Sequence, residues 1–317
     1  MSSGAGKSGL LRRRPQRVAW RKTVIIAKSA DSRGDSGSGI TDAWGSMAEV
    51  TNVTSIGFAE AGIAATAGPV ADAALCVGRA GPGVAVIIPV LNEAADINER
   101  LRVLIDAGFE EMIVVDGGSD DGTVAQVQTL VDAFARASRP ACRVVLLQGA
   151  RGRALQMNRG ADAATGEALL FLHADTRPSP GAAERIREAV RQGCEWGRFD
   201  VRLDGRQFVF RIIERAMNWR SALTGIATGD QALFVRRDVF VMLRGFAPIP
   251  LMEDIELSRR LRMLAWPARI RVPVVSATRR WQRGGIARTV LRMWGLRLLY
   301  WFGISPAQLL RFYPDVR

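Results

Sequence analysis

Apolar positions from residue 84 onward alternate between short continuous runs and stretches with helical spacing. The segment VAVIIPV, residues 84–90, is apolar throughout and rich in β-branched side chains, which is typical of a strand covered on both faces of a parallel sheet. Similar runs occupy residues 112–115, 143–148 and 168–172. Polar loops and helical patterns separate them, so we predict a βαβαβαβ unit. The expected fold is α/β, with a doubly wound and mostly parallel sheet.

The helical stretches carry apolar side chains three and four residues apart. Residues 97–105 show this pattern after the first strand, and residues 153–163 show it before the fourth. The segment at 227–240 is interpreted as a loop followed by a strand, and MEDIELSRRL, residues 252–261, opens another helix. The apolar face of that last helix is predicted to carry Leu257, Leu261 and Leu264.

The chain is predicted to have three parts. Residues 1–82 form a low-complexity, disordered extension, because their basic cluster and Ser/Gly/Asp stretch cannot bury enough apolar surface. Met47 offers an alternative start of translation. Residues 83–283 form the sheet domain, and residues 284–317 form an amphipathic helix and a tail.

Charge and cysteine content narrow the class of protein. The 317 residues include 44 Lys and Arg against 31 Asp and Glu, a net charge of +13, which suits nucleic acid, a phosphorylated ligand or an acidic membrane. Three widely spaced Cys and one His argue against a disulfide scaffold and a cysteine-based zinc site. Without an apolar run of membrane-spanning length, we expect a cytoplasmic protein, either soluble or peripheral at the inner face of the cell membrane.

Polar side chains gather where the predicted strands end. Asn92 and Glu93 follow the first strand, Asp116 ends the second, and His173 and Asp175 follow the fourth. In doubly wound sheets, ligands bind at the carboxyl ends of the strands. Asp116 can accept a hydrogen bond from a base imide such as that of uracil. Asp175 can hold a divalent cation that bridges two phosphates.

Several of these side chains have an ordinary structural alternative. Asp120 and Asp121 are interpreted as capping residues before the second helix. His173 is either a metal ligand or a strand-end side chain with protein partners. Glu253 and Asp254 lie in the first turn of a helix, where acids stabilise the macrodipole. The same position also suits a general base, and the residues alone leave both interpretations open.

Five segments occur in the order and spacing of family 2 glycosyltransferases with the GT-A fold. They are VIIPVLNE (86–93), VVDGGSDDGT (114–123), GRALQMNRGA (152–161), LFLHADT (170–176) and MEDIELSRRL (252–261). The resemblance covers most of residues 84–317. The chain particularly resembles small bacterial transferases with an HAD motif, which are often named by analogy with 4,4'-diaponeurosporenoate (carotenoid-acid) glycosyltransferase. The family's usual metal motif is D-x-D, whereas His173 stands first here.

The resemblance implies an inverting transfer of a hexose from a nucleotide-sugar, UDP-linked, to a hydroxyl or carboxylate of a small or lipid-like acceptor. It assigns the catalytic base to Asp254, and a Mn²⁺ or Mg²⁺ ion to Asp175 with His173 as second ligand. The implied donor-binding residues are Pro89, Asn92, Glu93, Asp116, Gly117, Arg153 and Asp175. The implied acceptor-side residues are Gly229, Asp230, Gln231, Glu253, Arg280 and Trp281.

The charged ends of the chain suggest binding partners other than the sugar donor. Residues 286–302 combine aromatic and Arg side chains, and such a helix either lies on an anionic membrane or packs on the sheet with its Arg solvated. A sugar-phosphate nucleotidyltransferase is the alternative enzyme. Members of that class carry a G-x-G-T-R loop after the first strand, whereas this chain has PVLNE there. A basic nucleic-acid-binding protein is the alternative of another class. No nucleic-acid-binding motif is found, so we expect no nucleic-acid partner.

Overall fold

The computed structural model describes residues 83–136, 142–278, 281 and 284–313. The predictions for residues 1–82, which are the disordered extension and the alternative start at Met47, lie outside the described residues. The prediction for Arg280 lies outside them as well. All the described residues belong to the compact unit that spans residues 74–317.

The described strands form one mixed sheet in the order β3-β2-β1-β4-β7-β6-β8-β5. These strands are β1 Val84–Val90, β2 Glu111–Asp116, β3 Arg143–Gln148, β4 Ala168–Phe171, β5 Thr176–Arg177, β6 Trp196–Leu203, β7 Leu233–Arg236 and β8 Ala268–Ser276. The four strands from β3 to β4 are parallel. Strand β7 runs antiparallel to both β4 and β6, β8 is parallel to β6, and β5 is antiparallel to β8.

Helices connect these strands and continue beyond the last of them. They are α1 Ile97–Asp106, α2 Thr123–Ala135, α3 Arg153–Ala163, α4 Ala182–Arg191, α5 Phe208–Thr224, α6 Arg237–Met242, α7 Glu253–Leu264, α8 Ile286–Trp301 and α9 Pro306–Leu309. Short 3₁₀ turns cover Gly229–Gln231 and Leu310–Phe312. None of the helices in the described ranges combines the length and apolar content needed to cross a bilayer.

Both faces of the sheet are covered by helices, as the continuous apolar strands predict. In β1, Val86 and Ile88 face a core that includes Ile97 of α1 and Ile186 of α4. The intervening Ile87 faces the opposite core with residues of α3, α6 and α7. Alternate side chains of a strand point to opposite faces, so both cores require apolar residues from the same run. The predicted mostly parallel α/β fold is therefore confirmed.

Strands β6 and β8 were not predicted, because charged residues interrupt their apolar runs. Arg198 in β6 is 1% exposed, and its Nη1 donates to Oδ1 of Asp200 at 2.6 Å. Arg269 of β8 donates to both oxygens of the same carboxylate at 2.8 Å. Burial acts to raise the pKa of Asp200, but the hydrogen bonds from Arg269 and Arg198 hold it below its usual value. Pairing thus allows these charges inside the sheet.

One predicted core position is wrong. Leu257 and Leu261 of α7 are fully buried against the sheet, but Leu264 is 46% exposed. Leu264 is the last residue of the helix, and Ala265 packs against the core in its place. Periodicity alone assigned Leu264 to the buried face because it did not show where the helix ends.

The segment after the sheet packs over the beginning of α7. Leu296 of α8 and Leu309 of α9 are buried together with Met252 and Ile255. Tyr300 belongs to the same apolar cluster. Residues 286–302 therefore form the predicted helix, which packs on one side and exposes a row of large apolar side chains on the other.

Candidate functional site

The loops that follow β1 and β2 are joined by backbone and side-chain hydrogen bonds. Asn92 adopts a left-handed conformation with φ +54°, which Asn tolerates better than most residues. Its amide donates to Oγ of Ser119 at 2.9 Å, and its Oδ1 accepts from the amide of Asp120 at 3.0 Å. Asp121 accepts from the amides of Ala94 and Thr123 at 3.0 Å, whereas the N-cap position of α2 is Gly122 and not one of the predicted capping residues Asp120 and Asp121.

Asp116 is buried at the end of β2 and organises the loop that follows it. Its carboxylate accepts from the amides of Gly118 at 2.8 Å and Ser119 at 3.0 Å, and from the Ser119 hydroxyl. An ionised carboxylate offers about four acceptor positions. These three donors therefore leave room for one further donor, such as an N–H of a ligand.

Gln156 of α3 connects the ends of the first two strands. Its Nε2 donates to the carbonyl oxygens of Val90 at 2.9 Å and Val115 at 2.8 Å. A Cβ on Gly117 would lie 2.9 Å from the same nitrogen, so a side chain at that position would displace Gln156. Arg153 lies at the start of the same helix, one turn before Gln156.

Arg153 links the beginning of α3 to the end of β4 and to α7. Its Nε lies 2.9 Å from Oε1 of Glu253, and its Nη1 lies 3.5 Å from Nε2 of His173. Burial acts to lower the pKa of Arg153, but the carboxylates of Glu253, Asp254 and Asp230 raise it. Arg153 is therefore a fixed positive charge among carboxylates.

Glu253 is the buried acid of the neighbouring pair. Its side chain is 2% exposed, and its Oε2 has no hydrogen-bond partner in the described part of the chain. Burial raises the pKa of Glu253 above its ordinary value, although the Arg153 guanidinium acts in the opposite direction. The carboxylate is therefore compensated mainly by this one cation.

Asp254 is half-buried and is held by two backbone amides. Its Oδ2 accepts from the amide of Gly229 at 2.7 Å, and its Oδ1 accepts from the amide of Ile255 at 2.7 Å. These bonds fix the carboxylate between the 3₁₀ turn Gly229–Gln231 and the first turn of α7. Each oxygen keeps a further lone pair that can accept a proton.

The His173 ring lies against the 3₁₀ turn. A Cβ on Gly229 would stand 2.1 Å from ring atoms of His173, so a side chain there would displace the ring. The Nδ1 atom of His173 lies 3.7 Å from Oδ1 of Asp230. Both ring nitrogens thus face protein groups, Arg153 on one side and Asp230 on the other.

These contacts decide which of the predicted metal ligands fit. Within the described ranges, no group of three or more His, Cys, Asp and Glu side chains is arranged to hold a metal ion. The ring nitrogens of His173 lie 3.5 Å from Arg153 Nη1 and 3.7 Å from Asp230 Oδ1, and these protein neighbours favour its interpretation as a strand-end side chain. Asp175 is half-buried, accepts from the Thr176 hydroxyl at 3.4 Å, and forms no ion pair with a described Arg. It fits a single carboxylate ligand to a hard cation.

Other predicted site residues have structural contacts. Glu93 pairs with Arg100 at 2.7 Å. Gln231 is fully buried, where its Oε1 accepts from the amide of Thr228 at 3.3 Å and its Nε2 contacts Asn218 of α5. Pro89 is the sixth residue of β1, and Trp281 packs against the apolar cluster between β6 and α5. These side chains hold loops and helices in place.

The structure brings one group of the predicted residues together. It contains Arg153, His173, Gly229, Asp230, Glu253 and Asp254. A second group at the neighbouring strand ends contains Asn92, Asp116 and Gly117. Helix α3 connects the two groups, because Arg153 belongs to the first and Gln156 touches the second.

Four residues near Asp254 were not predicted. The pKa of Arg153 responds to the nearby Tyr313, and the pKa of Tyr300 responds to Asp254. Arg220 is close enough to both Asp254 and Arg297 for their charges to affect its pKa. No local motif marks these side chains; only the amphipathic pattern of residues 286–302 indicated that the segment has a role.

The comparison with protein families gives one match. The family model described as Glycosyl transferase family 2 matches residues 85–245. This range contains the ends of β1, β2 and β4 and the 3₁₀ turn, and it ends before Asp254.

Curated relatives match part of the chain. An undecaprenyl-phosphate 4-deoxy-4-formamido-L-arabinose transferase of Pseudomonas aeruginosa is 27% identical over 168 residues, which is 51% of this chain and 46% of the relative. The glycosyltransferase AglE of Haloferax volcanii is 31% identical over 108 residues, 33% of this chain and 34% of the relative. The chain thus spans about a third to a half of the length of the curated relatives it matches.

A solved structure shares the fold. Staphylococcus aureus TarS, residues 1–349, in complex with UDP, aligns with a TM-score of 0.50 at 17% sequence identity. The alignment covers 62% of this chain and 60% of that structure. This likeness supports the GT-A architecture.

Proposed function

Because the chain belongs to glycosyl transferase family 2, we propose that it transfers a sugar from a nucleotide-sugar donor to an acceptor. The observation that carries the proposal is the convergence of α3, the end of β4, the 3₁₀ turn and α7. Contacts from Arg153 to Glu253 and from Gly229 to Asp254 join these elements at one edge of the sheet. The nucleotidyltransferase and the nucleic-acid-binding protein remain alternatives without a comparable observation.

The donor is proposed to bind across the ends of β1 and β2. Asp116 has one acceptor position left for a base N–H, and the Asn92 loop is fixed against it. Such a position suits the imide of uracil, so we propose a UDP-linked hexose. Gly117 lets Gln156 pack directly against the backbone at this point, which holds the ends of β1 and β2 together beside Asp116.

We propose that a divalent cation binds to both Asp175 and the donor diphosphate. Mn²⁺ or Mg²⁺ bound there would neutralise charge on the departing diphosphate. Asp175 would supply one oxygen ligand, while phosphate oxygens and water would supply the rest. His173 is left out of this set because its ring nitrogens face Arg153 and Asp230.

Asp254 is proposed to act as the catalytic base. The acceptor hydroxyl oxygen forms a bond to the anomeric carbon as the bond from that carbon to the diphosphate oxygen breaks. The electron pair leaves with the diphosphate, and the hydroxyl proton passes to the Asp254 carboxylate. A single displacement of this kind inverts the anomeric centre.

The acceptor is proposed to be small or lipid-like, with a reacting hydroxyl or carboxylate. The resemblance to carotenoid-acid glycosyltransferases and the name of the Pseudomonas relative, which includes a polyprenyl phosphate, both favour a lipid. Exposed apolar side chains on the helices around Asp254 agree with this choice.

The donor proposal is tested by calorimetric titration of the full chain with UDP-, GDP- and dTDP-sugars in the presence of Mn²⁺. We expect the UDP-sugar to bind most tightly and to be hydrolysed slowly without acceptor. Asp175→Ala should weaken its binding about tenfold, because one charge-assisted ligand to the cation is lost. EDTA should weaken binding to wild type but have little further effect on the variant.

Asp238→Ala is the matched control, because Asp238 is exposed, pairs with Arg236 and lies at the opposite end of the sheet. It should bind the donor like wild type. Equal donor affinity in wild type and Asp175→Ala, with and without EDTA, would remove Asp175 from the donor site. Absence of binding to every nucleotide-sugar would refute the proposed function.

Helix α8 is proposed to contact an anionic membrane surface. Its outer face exposes a row of apolar side chains, namely Leu291, Trp294, Leu298 and Trp301, which are 55–72% exposed. These residues recur every three or four positions, so they lie on one side of the helix. Exposed Arg288 and Arg292 border the row, and each basic residue near an anionic surface contributes about 1 kcal/mol.

We expect the full chain to co-sediment with vesicles of phosphatidylcholine and phosphatidylglycerol, and to bind less at high salt. The double variant Trp294→Ala/Trp301→Ala should lower the vesicle partition constant at least about tenfold, because it removes two interfacial aromatics. Trp266→Ala, which removes an equally exposed Trp outside the helix, is the control and should bind like wild type. Unchanged binding of the double variant would refute contact through α8.

A further inference from the structure

Two arginines near Asp254 hold buried N–H groups without an acceptor in the described residues. The groups are Nε and Nη2 of Arg220 on α5 and Nε of Arg297 on α8. Across the described ranges, five buried side-chain atoms lack a hydrogen-bond partner, and four of them belong to Arg220, Ser221 and Arg297. The fifth belongs to Glu253. Most of these unpaired polar atoms thus belong to α5 and α8, although buried polar groups are normally paired.

The packing of α5 and α8 brings the two arginines into one region. Nη1 of Arg220 donates to the carbonyl oxygen of Ile226 at 3.4 Å. Ile226 packs against the apolar cluster that contains Leu296, the neighbour of Arg297. This region adjoins the loop that continues to Gly229, whose amide holds Asp254.

The electrostatics of this region favour an anion. Burial and the positive charge of Arg297 lower the pKa of Arg220 to about 10, while Asp254 acts in the opposite direction. No carboxylate forms an ion pair with Arg220 or Arg297 in the described part of the chain. Buried charges of one sign are unfavourable unless a counter-charge compensates them.

We propose that Arg220 and Arg297 bind a phosphate group carried by the acceptor, next to Asp254. This inference rests on the proposed function and extends it to the acceptor's chemistry. Guanidinium groups present several donors in a planar fork, which suits phosphate oxygens. The donor diphosphate is assigned to the strand ends with Asp175, whereas this pair lies on α5 and α8. The two anion positions are therefore on different elements.

The surroundings favour a phosphate attached to a lipid. Helix α5 exposes an apolar row on its outer face, formed by Phe208, Ile212, Trp219 and Leu223. Helix α8 exposes a second row, described above. A lipid phosphate would place its headgroup at the arginines and its chain against these rows, whereas a free sugar phosphate would leave the rows uncovered.

The test is a titration of the full chain with inorganic phosphate, glycerol 3-phosphate and soluble dihexanoyl phosphatidic acid. The donor site is first saturated with the nucleotide that binds most tightly and with Mn²⁺, so that these probes do not enter it. Arg220→Gln and Arg297→Gln should each weaken phosphate binding at least about tenfold, because a charge-assisted contact is lost. Dihexanoyl phosphatidic acid should bind wild type more tightly than glycerol 3-phosphate.

The matched control is Arg215→Gln, because Arg215 is exposed on the same helix as Arg220. This variant should bind phosphate within about twofold of wild type. Thermal unfolding separates binding from structure: loss of an uncompensated buried charge should leave the melting temperature unchanged or raise it. A lowered melting temperature with wild-type phosphate binding would make these arginines structural and overturn the proposal.

The remaining outcomes are also decisive. Phosphate binding that is equal in wild type, Arg220→Gln and Arg297→Gln would overturn the proposed acceptor site, while donor binding would leave the transferase function intact. Glycerol 3-phosphate binding as tightly as the phosphatidic acid would overturn the lipid source but support the phosphate site. Phosphate binding without any nucleotide-sugar binding would refute the transferase function instead.

Discussion

Replacing Asp254 by Asn is expected to lower the turnover of sugar transfer by about 10²–10⁴-fold, the usual contribution of a general base. The amide keeps one oxygen for a backbone amide bond but cannot take the acceptor proton. Donor affinity should change by less than about threefold, because Asp254 is not among the proposed donor contacts. Single-turnover kinetics with a UDP-sugar, together with calorimetric donor titration, measure the two effects separately.

Glu256→Gln provides the control for this experiment. Glu256 lies on the same helix and pairs with Arg260 at 2.5 Å, so the substitution makes the same chemical change outside the proposed site. Its turnover should equal that of wild type. If Asp254→Asn kept turnover within tenfold of wild type, Asp254 would not be the base. If it lost donor binding and turnover together, its role would be structural.

Replacing Arg153 by Met should reduce the free energy of unfolding by about 3–5 kcal/mol at neutral pH, because the buried Glu253 carboxylate loses its cation. Burial already raises the pKa of Glu253, and loss of Arg153 should raise it further. A carboxyl whose folded pKa exceeds its unfolded pKa stabilises the fold at low pH, and this stability is lost as the pH rises through the folded pKa. Urea unfolding of the variant should therefore show a smaller deficit at acidic than at alkaline pH.

Two comparisons make this prediction specific. The double variant Arg153→Met/Glu253→Leu should recover most of the lost stability, because no uncompensated carboxylate is then left at the buried position. Arg159→Met removes an exposed Arg from the same helix and should change stability by less than about 0.5 kcal/mol. A single variant as stable as wild type would contradict the inferred dependence of Glu253 on Arg153.

Strands β1 and β4 were predicted correctly because their sequences are apolar throughout. Every residue of β1 and β4 is buried, so a continuous apolar run located them and their parallel order. Strand β6 was missed because Arg198 and Asp200 are buried as a pair that also requires Arg269 of β8. Composition along one segment cannot show a partner that the other strand supplies.

Some residues of the candidate site could be predicted from the sequence, and others could not. Asp254 and Arg153 lie in sequence motifs, so the family resemblance identified them. The structure adds the ion pair between Arg153 and Glu253. The roles of Arg220 and Arg297 depend on how α5 packs near α8, and no local pattern marks them. For His173 the motif position suggests a metal ligand, while its neighbours Arg153 and Asp230 favour a strand-end side chain.

The C-terminal cover of α7 also affects the order in which the protein matures on the ribosome. Every strand of the described sheet has been synthesised once Ser276 is made, whereas the apolar cluster over Met252 and Ile255 needs residues as late as Tyr313. A nascent chain can therefore complete its sheet while the acidic end of α7 is still uncovered. The acidic end of α7 should consequently reach its final surroundings only after the last helices have emerged and docked.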